Sequence, residues 1–370
     1  MKKMLFGAAM LCVALTGCEN EDFTVANQSQ ALRFDAPAMM QTRANVQGEI
    51  SGVIYPIAED FMVYSKVYKG KFAGWESSTD IEDYFATTGE VAMSGHGGSE
   101  KYWTTDVIHY WPEVEYNLAF AAYSPAEFTT DATSVSHTAK GLQIEGFTTE
   151  ANCDDQYDLM YSARKYDMNK VANSNSAVPL VFKHALSSIV FSSQKASTDV
   201  NYKITDLEVN GLFSQKGDFD QNITESVSGG VYSETEAPVW KNLVTASGNV
   251  KYEPTFTSVE VPVENPLQFT KGNSAMLLIP QEVPAEATVT VHYTKTTNPG
   301  TASEKRLETS ATIKLRDFTY VEDGVTKSIT NWEMGKRYVY RIAFGENTRI
   351  YFEPSVTDWV QLPTLIYTIK

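Results

Sequence analysis

Residues 116–125 read Tyr-Asn-Leu-Ala-Phe-Ala-Ala-Tyr-Ser-Pro. Tyr116, Leu118, Phe120 and Ala122 fall on every second position, with Asn117, Ala119 and Ala121 between them. A spacing of two sends alternate side chains to opposite faces of a pleated strand, whereas a helix needs spacings of three and four. The same period recurs along the chain. Val259, Val261 and Val263 alternate with Ser258, Glu260 and Pro262; Val289, Val291 and Tyr293 alternate with Thr290 and His292. Tyr338, Tyr340, Ile342 and Phe344 alternate with Val339, Arg341 and Ala343. Met276 to Ile279 is a continuous apolar run stopped by Pro280, the pattern of a strand buried on both faces. No long segment has helical spacing with caps; Ile81 to Phe85 and Asp155 to Ala163 read as short helices or turns. Many short strands separated by polar or Gly-rich loops, such as Gly95–Ser99, Asn173–Ala177 and Thr296–Thr301, predict an all-β protein of sandwiches.

The chain has 370 residues, of which 42% are hydrophobic, enough to build cores and to exclude global disorder. The polar stretch 167–178 is the expected domain boundary, giving an N-terminal sandwich over 31–178 and a C-terminal one over 179–370. The net charge of −16 argues against a nucleic-acid partner, which needs concentrated Lys and Arg.

Met1-Lys2-Lys3, an apolar run from Met4 to Leu15 and then Thr16-Gly17-Cys18 make a secretory signal. The run is too short to cross a bilayer core of roughly 30 Å as a helix. Leu15-Thr16-Gly17-Cys18 is similar to a bacterial lipoprotein box, which implies a signal peptide over 1–17, a lipid on the Cys18 sulfur and an outer-membrane anchor. Acyl chains contribute about 0.8 kcal/mol per buried methylene, so two or three hold a soluble domain on a membrane. Cleavage would leave 353 residues and, with Lys2 and Lys3 gone, move the charge from −16 to −18. Residues 18–30 read as a tether. Glu19-Asn20-Glu21-Asp22 within it resembles the surface-export signals of lipoproteins from Bacteroides-type bacteria. Cys12 leaves with the signal, so Cys153 has no bridge partner and reads as a small core residue.

Seven segments in order resemble the fimbrillin family, the type V pilins and pilus-associated lipoproteins of Bacteroides-type bacteria. They are Gln41-Thr42-Arg43-Ala44; Tyr110-Trp111-Pro112 leading into Leu118–Pro125; Asp158–Ala163; Leu180–Leu186; Leu277–Gln281; Asn331–Tyr340; and Phe352–Trp359. Residue by residue, Trp111, Phe120 and Tyr123 read as the core of the first sandwich, and Trp332 and Trp359 as that of the second. Gly335 suits a tight turn before the strand 338–344, and His184, on the face of Phe182 and Leu186, reads as a hydrogen-bonded core residue.

The resemblance implies two tandem transthyretin-like, Greek-key β-sandwich domains. It also implies a lipoprotein precursor from which an Arg-specific protease removes an N-terminal strand, opening a groove for a strand from another fimbrial subunit. Main-chain hydrogen bonds supply affinity in such β-strand addition, and alternate side chains set the register. In this chain Leu32 and Phe34 are the candidate displaced strand, and Arg43-Ala44 is the candidate cut, with Arg33 an alternative. Leu365, Tyr367 and Ile369 are the candidate donor strand, or equally a last strand of the second sandwich. Only eleven residues follow Trp359, short for the appendage of a shaft subunit, which leaves a tip, accessory or anchor role open. The expected location is the cell surface, within fimbriae.

Two other classes of function compete. A non-polymerising surface lipoprotein that binds glycans would use exposed aromatic platforms, for which Trp75 and Trp103 are candidates if they are not core residues, and a host or bacterial surface glycan or protein is a further expected partner. A hydrolase finds little support. Ser162–Lys165 and Ser192–Lys195 match SxxK without its companion motifs, and neither GxSxG nor HExxH occurs. The five His are scattered without metal-ligand spacing, and Asp154, Asp155 and Asp158 read as a solvated acidic turn rather than a Ca²⁺ site. No catalytic residue, metal or cofactor is assigned.

Overall fold

The computed structural model describes residues 31–36, 55, 58–75, 81–86, 88–94, 102–128, 134–229, 231–270, 275–322, 325–345 and 350–358. Among them, β-strands dominate, as the period of two requires. A ten-stranded sheet runs in the order Val178–Pro179, Phe34–Asp35, Trp103–Thr105, Glu90–Ser94, Phe61–Lys69, Tyr116–Ser124, Met160–Ser162, Phe182–His184. Two further strands, Glu82–Asp83 and Lys165–Met168, pair with its centre. The two ends of that order belong to one run of chain, Val178 to His184, so the sheet curls round on itself. It encloses a core of Phe34, Phe61, Trp103, Phe120 and Phe182.

Ser187–Lys195 is the centre of a second sheet. It pairs in parallel with Lys336–Phe344, which pairs in turn with Ile350–Asp358, and antiparallel with Met276–Leu278. A third sheet, centred on Val200–Gly211 and Thr288–Thr297, faces it across a core that holds Phe191, Tyr202, Val289, Val291, Trp332 and Tyr340. Ser134–Thr138, Gly141–Thr148, Ser214–Asp220 and Val239–Thr245 form a fourth sheet over another core.

That last core explains why several strands have no polar face. Leu118, Phe120 and Ala122 enter the curled-sheet core, while Ala121 and Tyr123 turn to the core under the fourth sheet. Met276 and Leu278 enter the sandwich core, while Leu277 and Ile279 turn to that same intervening core. Each such side chain, fully buried, contributes about 1.5–3 kcal/mol.

Two expectations need correction. Ile81–Phe85 holds the strand Glu82–Asp83, and Asp155–Ala163 holds the strand Met160–Ser162, because both stretches complete the first sheet. Within the stretch 167–178, Lys170–Asn173 is a one-turn helix, capped by the Asn169 side chain accepting from Ala172 N at 3.0 Å. Pairing also crosses residue 178. Phe182–His184 joins Met160–Ser162, and Gly141–Thr148 joins Ser214–Asp220.

Candidate functional site

The stretch 31–36 is the site toward which the sequence points. Its side chains alternate: Leu32, Phe34 and Ala36 are buried, Arg33 is half-buried and Asp35 is exposed. Phe34 pairs with Trp103 on one side and, in parallel, with Val178 on the other. The stretch therefore fills a slot inside the sheet rather than lying on its rim.

Both walls hold it by main-chain hydrogen bonds. Leu32 N donates to His109 O at 2.7 Å. From the other wall, Val178 N donates to Arg33 O and Leu180 N to Asp35 O, both at 2.7 Å. Tyr55 N donates to Ala36 O at 3.3 Å. The Phe34 ring meets Phe120 edge-on at 5.5 Å, Phe61 at 6.3 Å and Phe85 at 6.4 Å. Such T-shaped pairs add about 0.5–1.5 kcal/mol beyond area burial.

Tyr55 closes the bottom of the slot, stacked on Phe182 at 4.9 Å, with its hydroxyl 2.7 Å from Ser124 Oγ and donating to Asp60 O at 3.0 Å. Burial, opposed by the Ser124 contact, pushes its phenol far above the usual range. Burial and then the Asp60 carboxylate raise Glu59, whose carbonyl accepts the Trp103 indole N–H at 2.7 Å. The slot is thus lined mainly by apolar side chains, and it holds the stretch 31–36 by close packing and main-chain hydrogen bonds.

Arg33 is half-buried, with its guanidinium 4.8 Å over the Tyr102 ring and donating to Tyr102 Oη at 3.2 Å. Cys18, Arg43, Ala44, Leu365, Tyr367, Ile369 and Trp359 lie outside the described residues. Trp103, offered as a glycan platform, is 2% exposed and belongs to the slot wall. Trp75 is half-buried between the Arg164 guanidinium, 4.9 Å from its ring, and the Lys66 ammonium at 5.5 Å.

Elsewhere, Trp111, Phe120, Tyr123 and Trp332 are core residues, and Gly335 sits at φ +68° as its turn requires. His184 Nδ1 is 3.0 Å from Asp158 Oδ1, and Asp158 is buried, so of the three aspartates it is not part of a solvated turn. Cys153 is fully buried. Among the described residues one cluster has metal-ligand proximity, Asp206, Glu208 and His292. Lys251 Nζ pairs with Glu208 at 3.0 Å and with Glu253 at 2.6 Å. Ala36, Tyr55 and Val178 carry no motif; the alternation of 32, 34 and 36, and of 178 and 180, signals Ala36 and Val178, and nothing local signals Tyr55.

A family model described as fimbrillin-like matches residues 69–359. The chain belongs to the fimbrillin-like family. A fimbrial protein from Bacteroides vulgatus is similar in fold, with 16% identity and a TM-score of 0.51 over 88% of this chain and 99% of that one. A protein from Bacteroides ovatus, provisionally described as a cell adhesion protein, aligns at 14% identity and a TM-score of 0.46, over 90% and 99% of the two chains. No functionally curated protein matches this chain. The Bacteroides vulgatus protein thus shares with this fimbrillin-like chain a fold rather than close sequence.

Proposed function

We propose that this fimbrillin-like protein is a cell-surface adhesive subunit, with a tip or accessory place in a fimbrium, and that Ala31–Ala36 is a removable plug. In this reading the precursor is exported as a lipoprotein through Cys18 and cut after Arg43. Leaving, the strand frees a slot flanked by Trp103–Thr105 and Val178–Leu180, and a strand of a neighbouring subunit fills it. Leu365, Tyr367 and Ile369 have the period of two that the slot requires. The observation that carries the reading is the seating of Leu32 and Phe34 between two walls that each keep main-chain groups directed at them. An unfilled slot would expose aromatic core and unpaired edges, which gives refilling its driving force.

Treating the purified precursor with an Arg-specific protease and running unboiled SDS gels tests this. A sharp cut at Arg43 followed by a ladder is expected, with Arg43→Gln giving neither. A precursor that is cut at Arg43 and stays monomeric at high concentration overturns strand exchange. Removal of residues 363–370 should abolish the ladder, and an unchanged ladder removes the tail as donor.

A further inference from the structure

The hairpin of Ile223–Ser228 and Val231–Glu236 leaves the fourth sheet and lies against the back of the first one. What it meets there is a buried charge. The Arg164 side chain is completely buried, and its guanidinium donates to Glu225 Oε1 at 3.2 Å and lies 3.8 Å from Glu234 Oε2. Its other nitrogen donates to Ala139 O at 2.7 Å. Glu225 also accepts from Trp75 N at 2.9 Å, so one carboxylate of the hairpin holds both a guanidinium and a main-chain N–H of the first sheet's loop. A third carboxylate, Glu236, pairs with Lys183 and accepts from Gln221. Beside these, Tyr232 packs edge-on against Phe72 at 4.7 Å and Tyr166 at 5.0 Å.

The proton count in this cluster is low. The Tyr232 hydroxyl stands 3.0 Å from Glu225 Oε1 and 2.9 Å from Glu234 Oε2, yet it has one proton for two acceptors. A proton on either carboxyl would supply the missing donor, and it would at the same time remove a counter-charge of Arg164. His137 faces the cluster from the fourth sheet, its ring 5.0 Å from Trp75, with neither nitrogen partnered. Lys66, held by Asp83, completes the basic side. Asp167, which accepts from Tyr68 Oη and Phe72 N, lies behind the aromatic residues.

We propose that the hairpin 223–236 is an acid-released clasp: at neutral pH its carboxylates hold the first sheet through Arg164, and proton uptake by the cluster frees the hairpin and uncovers Phe72 and Tyr166. The two uptake steps reinforce each other. Burial raises Glu234 above the ordinary carboxylate value, against the pull of Arg164, so it is neutralised early in an acid titration. Burial, with Arg164 and Lys66 adding to it, holds His137 well below its ordinary value, so its protonation sets a third positive charge beside two whose counter-ions are failing. Breaking a buried ion pair by removing one partner leaves the other uncompensated, which makes the release steep.

Hydrogen exchange with mass spectrometry on the full chain, corrected for intrinsic rates, tests the clasp. Protection of 223–236 should fall at least about tenfold between about pH 7.5 and pH 4.5, while Thr288–Thr297 keeps its own. Glu234→Gln should show the acid-like low protection already at neutral pH, and His137→Phe should move the release to lower pH. Unchanged protection of the hairpin, or loss in step with 288–297, overturns the proposal. Should Glu234→Gln fail to fold, wild type and His137→Phe decide alone, because an unshifted release in His137→Phe contradicts the coupled cluster.

Discussion

Replacing Phe34 by Ala separates a seated, energy-bearing strand from a loosely laid one. The ring is fully buried and meets three other aromatic rings edge-on. Truncating a buried Phe costs about 3–5 kcal/mol, and the three ring pairs keep this site off the low end of that range, at about 4 kcal/mol. For a cooperative unit of this size that is a drop in Tm of about 8–16 °C. If the strand leaves before the rest unfolds, the same 4 kcal/mol raises the released-to-seated ratio about a thousandfold. Circular dichroism melts and urea transitions of the full precursor measure the first quantity, and the rate at which Arg33 becomes open to trypsin measures the second. Asp35→Ala is the internal control, since its side chain faces solvent, and it should stay within about 0.5 kcal/mol of wild type. A Phe34→Ala cost below about 1 kcal/mol, or an equal cost for Asp35→Ala, would refute the reasoning.

Gly335→Ala should cost about 1–2 kcal/mol in urea unfolding, because φ is +68° while the nearest atom to a new Cβ, His184 O, is an ordinary 3.6 Å away. Gly141→Ala should cost more, since at φ +89° its Cβ would run into the Gln221 amide that holds Leu142 N and Ser162 O; equal costs would contradict this. Burial, and then Asp154, pushes the Cys153 thiol up to about 12, and the thiolate is the reactive form. Peptide mapping should find Cys153 unlabelled by a thiol reagent at pH 8 until denaturant is added, and rapid native labelling would contradict its place in the core. His137 is held neutral in the fold, so below its ordinary value near 6.5 the unfolded chain binds more protons. Stability is therefore complete above that pH and falls as pH drops below it, by up to about 1.4 kcal/mol per unit, until the folded pKa is reached. His137→Phe should flatten that part of the stability–pH curve, and an unaltered slope would show that His137 is not its source.

Much of the fold was legible because β structure writes itself as a period of two. The run Tyr338–Phe344 sends Tyr338, Tyr340, Ile342 and Phe344 to one core as the alternation demands, and Met276–Ile279 is buried on both faces as an unbroken apolar run should be. Leu32 and Phe34 were legible on the same ground. Short strands were not: Glu82–Asp83 and Met160–Ser162 are two and three residues long, too short for any period to appear. Tyr55 and Trp103 carried no sign of their place, since nothing local says which aromatic residue closes a slot made by strands far away in sequence.

The chain's own order of residues determined that strands form, which of their faces seek a core, and that the N-terminal stretch has the alternation of a strand. Those are properties of neighbouring residues and of backbone geometry. Only the tertiary structure decided that this stretch sits between two walls, that Ala121 and Leu277 share one core, and that Arg164 is met by Glu225 and Glu234. Each of those depends on surfaces brought together from distant positions, where desolvation turns an ordinary arginine or phenylalanine into a fixed point of the fold.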